Sequence, residues 1–306
     1  MHNIQVVALY QFVQIDEVAE VVTTIKTVFG QYDDLKGTLI IAHEGINGTI
    51  AASQQTMSAV LSWFKASDLF NIGYKSSYCE HNPFLRFKVK HKKEIVTIGD
   101  PSVNPNEQVG TYVAPKDWNQ LIQDPDVVVI DTRNDYECTI GKFKGAINPK
   151  TDTFRAFPDY VANNLDPKQH KKVAMYCTGG IRCEKASSLM LKMGFEAVYH
   201  LEGGILKYLE DVQANESTWE GDCFVFDQRV AVNHDLNPSG HQQCFACRRP
   251  LVDSDLNHKD YVPGVSCQYC IQETSQSQKN NFTERQKQHE LAKQRGEQHI
   301  GCKLDA

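Results

Sequence analysis

The sequence predicts a mixed α+β and α/β fold made of three parts. Residues 1 to about 98 alternate between strand-like and helix-like segments in an order typical of a small, largely antiparallel sheet. Residues 105–216 contain continuous apolar runs that are each followed by a loop and a helix, which indicates a parallel sheet. Residues 219–306 lack long apolar runs and hold two Cys-x-x-Cys pairs. At about 100–200 residues per domain, the 306 residues provide for two or three domains.

The N-terminal part is predicted to be a ferredoxin-like domain with the order βαββαβ over residues 1–98. A helix follows the first strand, and a second helix precedes the last one. The two middle strands form a hairpin with Asn47-Gly48, a strong hairpin signal, at or near the turn. The basic segment over residues 84–99 is expected to be the last strand.

The central part is predicted to be a parallel sheet with helices on both faces. It follows a linker with two prolines, PSVNPNEQVG. The runs DVVVID and KKVAMYC are typical of buried strands, and the segment EAVYHLEGG repeats the pattern of a strand followed by glycines and a helix. Strands that alternate with helices in this way favour an α/β domain over residues 105–216.

Charge and hydropathy exclude some classes of protein. The formal net charge of −6 does not indicate a nucleic-acid binder as a whole. No apolar run approaches the roughly 18 residues needed to cross a bilayer. The segment MHNIQVVALYQF lacks the positive region and cleavage site of a signal peptide. We therefore expect a cytoplasmic protein that does not associate with membranes.

The ten cysteines are the feature that points to a function. Six of them occur as close pairs, and in a reducing compartment such pairs indicate thiolate chemistry or metal binding more often than disulfides. The pairs are Cys177 with Cys183, Cys244 with Cys247, and Cys267 with Cys270. The cysteines without such spacing, interpreted as buried or incidental, are Cys79, Cys138, Cys223 and Cys302.

The first pair flanks the loop YCTGGIRCEKA, in which Cys177 ends a buried strand just before a helix. Loops at this edge of a parallel sheet are where sites are built. Gly179 and Gly180 allow the main chain to curl so that N–H groups point to one centre, and the helix dipole adds a positive potential. Such a position lowers the pKa of a thiol and favours a thiolate or persulfide. The alternative is a buried structural cysteine.

Two further residues refine the chemistry of this loop. Cysteine phosphatases place an arginine six positions after the nucleophile, whereas Arg182 is five positions after Cys177. The smaller loop suits a sulfur or oxygen adduct on Sγ better than a phosphoryl group, which disfavours phosphatase activity. Cys183 is either a resolving thiol, which forms a disulfide with Cys177 or receives its sulfur, or a small residue in the first helical turn.

The C-terminal cysteines have the spacing C-x2-C-x19-C-x2-C, which is typical of a four-thiolate zinc site. The predicted ligands of a structural zinc are Cys244, Cys247, Cys267 and Cys270. Because all four positions are cysteine, no coordination site stays open, and we assign no catalysis to the metal. The alternatives are a vestige that keeps the spacing, coincidental thiols in a flexible tail, and a redox Cys-x-x-Cys.

Four segments in order resemble those of a rhodanese-homology domain. They are DTRNDYE at 131–137, GKFKGAINP at 141–149, CTGGIR at 177–182 and LEGGI at 201–205. The resemblance implies that Cys177 is the nucleophile or persulfide carrier. It also implies an anion cradle formed by Thr178, Gly179, Gly180, Ile181 and Arg182. Asp131, Arg133 and Glu137 are interpreted as scaffold ion pairs rather than as catalysts.

The stretches HEGINGT, FVFDQRVAVNHDL, CFACRRPL and YVPGVSCQYC extend the likeness through the whole chain. With them the chain resembles the rhodanese-related tRNA uridine 5-hydroxylase family. This resemblance implies oxygen-dependent hydroxylation of C5 of uridine 34, the wobble base of the tRNA anticodon loop, with Cys177 as the essential cysteine and molecular oxygen as co-substrate. The electron donor and the oligomeric state do not follow from the sequence. The alternatives are a rhodanese-type sulfurtransferase or persulfide carrier that takes sulfur from a donor, and a non-catalytic RNA-binding or sulfur-relay module.

A basic segment offers independent support for an RNA partner. Between residues 75 and 95, six basic residues oppose two acidic ones, which gives a local charge of +4. Aromatic residues interleave with these charges and could stack on unpaired bases. The candidate RNA contacts are Arg86, Lys88, Lys90, Lys92 and Lys93. The alternative is an edge strand that lysines keep soluble.

Overall fold

A computed structural model describes residues 4–296 of the chain. Two units are distinguished by their internal contacts. The first consists of the residues up to Cys223 together with Val232–Asn237, and the second of Phe224–Ala231 together with the residues from Pro238 onward. The first unit contains the two α/β parts expected from the sequence, and the second contains the paired C-terminal cysteines. The residue positions at which we expect one domain to give way to the next stay predictions.

The N-terminal part forms a five-stranded sheet with the strand order β4-β1-β3-β2-β5. Its elements are β1 (Ile4–Phe12), α1 (Val18–Phe29), β2 (Lys36–Ala42), β3 (Gly45–Ser53), α2 (Gln54–Lys65), β4 (Gly73–Cys79) and β5 (Phe87–His91). Neighbouring strands are antiparallel except for the parallel pair of β2 and β5. The ferredoxin-like order βαββαβ is thereby confirmed. Its last strand is β4, however, whereas the basic segment forms the additional edge strand β5.

The predicted hairpin of the two middle strands is confirmed, but Asn47-Gly48 lies inside the second strand rather than at the turn. The turn between β2 and β3 consists of His43 and Glu44, while Asn47 pairs with Ile40 inside the sheet. Asn47 and Gly48 have other structural roles in the sheet. The Asn47 amide donates a hydrogen bond to the carbonyl of Ile95, and a Cβ at Gly48 would collide with main-chain atoms of β2.

The two faces of this sheet differ in polarity. Helices α1 and α2 cover one face, where Val7, Leu9 and Phe29 belong to a fully buried core. The other face, which we call the open face, is half-exposed and more polar. The strand register places Lys75, Ala8, Thr49, Thr38 and Lys88 in one row across all five strands on this face.

The central part contains a four-stranded parallel sheet with the order β6-β10-β9-β7, which confirms the predicted α/β class. Its elements are β6 (Thr111–Val113), α3 (Pro115–Ile122), β7 (Val127–Asp131), α4 (Asp135–Cys138), β8 (Gly141–Phe143), a 3-10 turn (Phe154–Ala156), α5 (Phe157–Asn164), β9 (Lys172–Tyr176), α6 (Ile181–Lys192), β10 (Ala197–Leu201), α7 (Gly204–Asp211) and β11 (Trp219–Gly221). The short strands β8 and β11 pair antiparallel. Strand β9 and helix α6 therefore enclose the loop that begins with Cys177.

The remaining elements are short apart from the last helix. They are β12 (Cys223–Phe224), β13 (Ala231–Val232), β14 (Gln242–Gln243), β15 (Pro250–Leu251), α8 (Asp253–Leu256) and α9 (Gln276–Gln294). Helix α9 begins with a capping box in which Ser275 and Gln278 hydrogen-bond each other's main chain. Between residues 4 and 296, no helix is long and apolar enough to cross a membrane. Cys302, interpreted above as buried or incidental, lies outside the described residues.

Candidate active site and cysteine cluster

Cys177 lies at the carboxyl end of β9 and is fully buried. Its Sγ accepts a hydrogen bond of 3.1 Å from the main-chain N–H of Gly180. Gly180 has a φ of +102°, which favours glycine and turns this N–H toward the sulfur. The loop from Thr178 to Ile181 thus forms at least part of the predicted cradle with its main chain.

The surroundings of Cys177 favour the thiolate. Burial by itself raises the pKa of Cys177, but the Cys183 thiol, the Arg182 charge and the N–H groups of Cys183 and Gly180 outweigh it and lower the pKa to about 5. The sulfur is therefore ionised at neutral pH, which is the form that acts as a nucleophile.

Cys183 lies in the first turn of α6, is fully buried, and hydrogen-bonds to Cys177 through its side chain. The Oγ1 of Thr132 lies 3.5 Å from its sulfur. Burial and the neighbouring Cys177 sulfur raise the pKa of Cys183. The two cysteines thus form a buried pair in which one proton is shared. Whether Cys183 acts as a resolving thiol stays a prediction.

The Arg182 guanidinium forms a buried ion pair with Glu137. Its Nη1 and Nη2 donate to the two carboxylate oxygens of Glu137 at 2.6 and 2.8 Å, and both side chains are buried. Thr178 joins the same group, because its Oγ1 accepts from Nη2 of Arg182 and donates to Glu137. Glu137 therefore fixes the loop as well as its own helix.

Asp131 and Arg133 form a separate buried ion pair with a shortest N–O distance of 2.6 Å. The Arg133 guanidinium also donates to the carbonyls of Glu137 and Gly141. These contacts join the end of β7 to α4 and β8, as expected of a scaffold pair.

Two tyrosines converge on Glu184 in the first turn of α6. The Tyr10 hydroxyl, from β1 of the N-terminal sheet, donates a 2.8 Å hydrogen bond to Glu184, and Tyr112 also hydrogen-bonds to it. Burial is the main cause that raises the pKa of Glu184. Sequence reasoning missed this group, because Tyr10 and Glu184 are 174 positions apart.

Lys75 reaches the loop from β4. Its Nζ donates to the carbonyl of Gly179 at 2.8 Å and lies 5.3 Å from the centre of the Tyr10 ring. Burial lowers the pKa of Lys75, while the Cys177 sulfur and Glu184 act in the opposite direction. Lys75 belongs to the basic segment, but no sequence signal predicts its place beside the Cys177 loop.

A buried lysine anchors the two α/β parts to each other. The Nζ of Lys185 lies 2.8 Å from Glu44 and 2.6 Å from Glu94, and its side chain is almost completely inaccessible. Glu44 belongs to the β2–β3 turn and also accepts the N–H of Ile95. This contact holds the N-terminal sheet against helix α6, close to Cys183.

The candidate RNA contacts lie on and around β5. Lys88 and Lys90 point to the open face, and the pKa of Lys88 is lowered by partial burial and by the nearby charges of Arg86 and Lys90. These three residues therefore form one cationic cluster. Lys92 and Lys93 follow the strand and are exposed.

The second unit contains a cluster of four cysteines that can bind a metal such as zinc. The sulfurs of Cys244, Cys247, Cys267 and Cys270 lie within 4.8 Å of one another. Three sulfur–sulfur distances are 3.9, 3.8 and 3.7 Å. Zinc–sulfur bonds of about 2.3 Å in a tetrahedron give sulfur–sulfur distances of about 3.8 Å, so the cluster fits zinc. The predicted ligands are thus brought together.

The chain matches two protein families. Residues 4–95 match the family described as UPF0176 acylphosphatase like domain. Residues 114–211 match the rhodanese-like domain. The two matches cover the N-terminal sheet and the parallel-sheet part that carries Cys177.

Several solved structures are similar to part of the chain. A protein of unknown function from Rhodopseudomonas palustris, described as a possible tyrosine phosphatase, is 27% identical; the match covers 35% of this chain and 83% of that one, with a TM-score of 0.30. The rhodanese-like domain of the Alr3790 protein from Anabaena sp. is 19% identical, over 36% and 78%, with a TM-score of 0.29. The BH2092 protein from Bacillus halodurans is 22% identical, over 37% and 77%, with a TM-score of 0.29.

Proposed function

Because the chain belongs to the rhodanese-related UPF0176 family, we propose that it hydroxylates C5 of uridine 34, the wobble base of tRNA, with molecular oxygen and the Cys177 thiolate. The observation that carries the proposal is that the N-terminal sheet contacts both sides of this site, through Lys75 at the carbonyl of Gly179 and through Tyr10 at Glu184 of α6. Both groups come from the N-terminal match and lie outside the rhodanese-like domain, so the N-terminal sheet takes part in forming the site.

The thiolate has a direct role in this reaction. The Cys177 sulfur, or a persulfide on it, adds to C6 of the uracil ring, and the electron pair moves to C5, which becomes an enolate. Electron-rich enolates react with oxygen, so activation of C5 takes the place of a flavin or iron centre. The donors around Cys177 keep the sulfur ionised until the base arrives. A wobble base is unpaired in free tRNA, so little energy is needed to unstack it.

The open face of the N-terminal sheet supports an RNA substrate. Lys88 and Lys75 end the same row of residues, at opposite edges of the five-stranded sheet. At about 4.8 Å between strands, the row is about 19 Å long. An RNA strand whose phosphates bind along this row would extend from the β5 cluster to the loop at Cys177. Phosphate contacts of this kind fix the position of RNA without reading sequence.

The four-cysteine cluster has a structural role in the proposal. A zinc ion held by Cys244, Cys247, Cys267 and Cys270 would supply folding energy to the second unit and no reactive position, because all four ligands come from the protein.

Mass spectrometry of tRNA nucleosides tests the proposal. A strain that lacks the protein should lose 5-hydroxyuridine and the 5-alkoxyuridines made from it, and the wild-type gene should restore them. The Cys177→Ser variant should not restore them, whereas Cys79→Ser, which alters a buried cysteine of the N-terminal sheet, should. Full restoration by Cys177→Ser would refute the proposal.

A second candidate function is sulfurtransfer. It is favoured by the rhodanese-like domain itself and by the Gly180 N–H that is directed at the Cys177 sulfur. In that case the protein should transfer sulfur from thiosulfate to cyanide, with cyanide-labile sulfur on Cys177, and the nucleosides of the deletion strain should be unchanged.

A further inference from the structure

The proposed hydroxylation leaves an electron requirement that neither uridine nor oxygen can meet alone. One oxygen atom of O2 enters the C5–OH group, and the other must leave as water. This reduction consumes two electrons and two protons in addition to those of the uracil. The described residues contain one oxidisable pair at the reacting sulfur, namely Cys177 and Cys183, which are both fully buried and hydrogen-bonded to each other.

We propose that Cys177 and Cys183 are the two-electron reductant of the oxygen reaction, and that each turnover leaves them as a disulfide. This inference rests on the proposed function and deepens it by naming the electron donor. A small-molecule or protein dithiol then restores the pair by thiol–disulfide exchange.

The chemistry balances in three steps. Addition of the Cys177 thiolate to C6 gives the C5 enolate, which takes up O2 as a C5 hydroperoxide after protonation. The Cys183 thiol attacks the distal oxygen, so that the O–O bond breaks, C5 keeps a hydroxyl, and Cys183 becomes a sulfenic acid. Loss of the C5 proton expels the Cys177 thiolate, which attacks the sulfenic sulfur and releases water. In sum, two thiols, O2 and uridine give a disulfide, water and 5-hydroxyuridine.

The loop geometry favours this division of roles. Cys177 directly follows strand β9, Cys183 lies in the first turn of α6, and the main chain between them curls so that the two side chains hydrogen-bond to each other. The Oγ1 of Thr132 lies 3.5 Å from the Cys183 sulfur and donates to the carbonyl of Tyr176. The Cys183 side chain is thereby joined to the end of the strand that precedes Cys177. Because Cys183 stays protonated beside an ionised Cys177, the attacking nucleophile and the reducing thiol are distinct before the substrate binds.

Apolar packing separates this pair from the other cysteines. Cys177 and Cys183 belong to the same buried cluster, together with Met175, Ala186 and Met190. Water and external thiols therefore reach the pair only when the loop opens, which protects a sulfenic acid on Cys183 from side reactions. The same opening has to admit the base and the reductant.

A single-turnover experiment tests the electron donor. The full-length protein is reduced, freed of reductant under nitrogen, and mixed with oxygenated buffer and an unmodified tRNA that carries uridine 34. The wild type should form at most one 5-hydroxyuridine per chain, with an equal amount of Cys177–Cys183 disulfide in the peptide map. Addition of dithiothreitol should allow further turnovers.

Three variants separate redox chemistry from structure. Cys183→Ser introduces a hydroxyl that cannot be oxidised, so the first-turnover product should be lost. The hydroxyl can still hydrogen-bond to Cys177, so the pH dependence of the Cys177 thiolate should be largely retained. Cys183→Ala should also lose the first-turnover product, but the pKa of Cys177 should rise, because alanine cannot donate the hydrogen bond that the thiol or a serine hydroxyl provides. Cys79→Ser should give the wild-type yield. Full first-turnover product from Cys183→Ser, or a disulfide found only within the four-cysteine cluster, would overturn the inference. If the wild type forms no 5-hydroxyuridine even with dithiothreitol, the proposed function itself fails.

Discussion

Replacement of Glu137 by glutamine should destabilise the first unit more than any exposed charge change. The carboxylate is completely buried, and each of its oxygens accepts two hydrogen bonds. One oxygen accepts from Arg182 and from the N–H of Asn134, and the other from Arg182 and Thr178. A glutamine of the same shape places an NH2 group against two of these donors and removes the charge opposite Arg182.

The magnitude follows from the burial of the pair. Two unit charges about 4 Å apart interact by about 4 kcal/mol at an effective dielectric constant of about 20. Removal of one partner of a buried pair costs about 3–5 kcal/mol, because the other charge stays buried. With a urea dependence of the free energy of unfolding of about 3 kcal/mol per M for a unit of this size, the Glu137→Gln midpoint should fall by about 1–1.7 M.

Urea unfolding followed by tryptophan fluorescence measures this change, since Trp118 and Trp219 are buried in the same part of the chain. The matched control is Asp124→Asn, which removes an exposed ion pair with Lys172 and should leave the midpoint nearly unchanged. If Glu137→Gln shifted the midpoint no more than the control does, the carboxylate would not be the anchor of the loop, and our reasoning about the cradle would be wrong.

Three further predictions concern the sulfur sites and the RNA surface. The Cys177 thiolate can be followed by its ultraviolet absorbance, as the part of the signal that Cys177→Ser abolishes. This absorbance should be lost only as the pH falls through about 5, because the lowered pKa of Cys177 keeps the sulfur ionised above that value. Loss of the absorbance near the ordinary pKa range of a thiol would refute this. The protein should contain one zinc ion per chain by elemental analysis, and Cys267→Ser should lose it while Cys79→Ser retains it. Lys88→Glu should weaken tRNA binding and reduce the slope of log affinity against log salt by about one, whereas Lys171→Glu, an exposed change outside the open face, should not.

Local patterns were sufficient to predict the parts of the site that lie close together in the sequence. The loop around Cys177 is a strand–loop–helix unit with two glycines, so its position and its hydrogen bond from Gly180 follow from a short segment. The cysteine cluster is likewise set by the spacing of its two pairs. The ferredoxin-like order could also be predicted, because helix and strand periods differ clearly.

Contacts between distant segments could not be predicted in the same way. Strand β4 was overlooked because its residues, GYKSSYC, are too polar to alternate clearly, and this polarity belongs to an edge strand of the open face. Asp131, Arg133 and Glu137 were interpreted as scaffold ion pairs, but only the fold shows that Glu137 binds Arg182. Tyr10 and Lys75 carry no motif at all, and only domain packing places them at the loop.

The arrangement of charges around Cys177 explains why this loop suits a neutral substrate better than a phosphate. In a phosphate cradle, arginine must offer its guanidinium to the ligand, whereas both terminal nitrogens of Arg182 here donate to Glu137. The sulfur is stabilised by a main-chain N–H, by the Cys183 thiol and by the Arg182 charge, which Glu137 partly neutralises. A phosphate dianion would therefore meet a thiolate whose charge Arg182 offsets only in part, with Lys75 as a second positive charge beside the loop. A uracil ring carries no such charge, and the same thiolate can add to it directly.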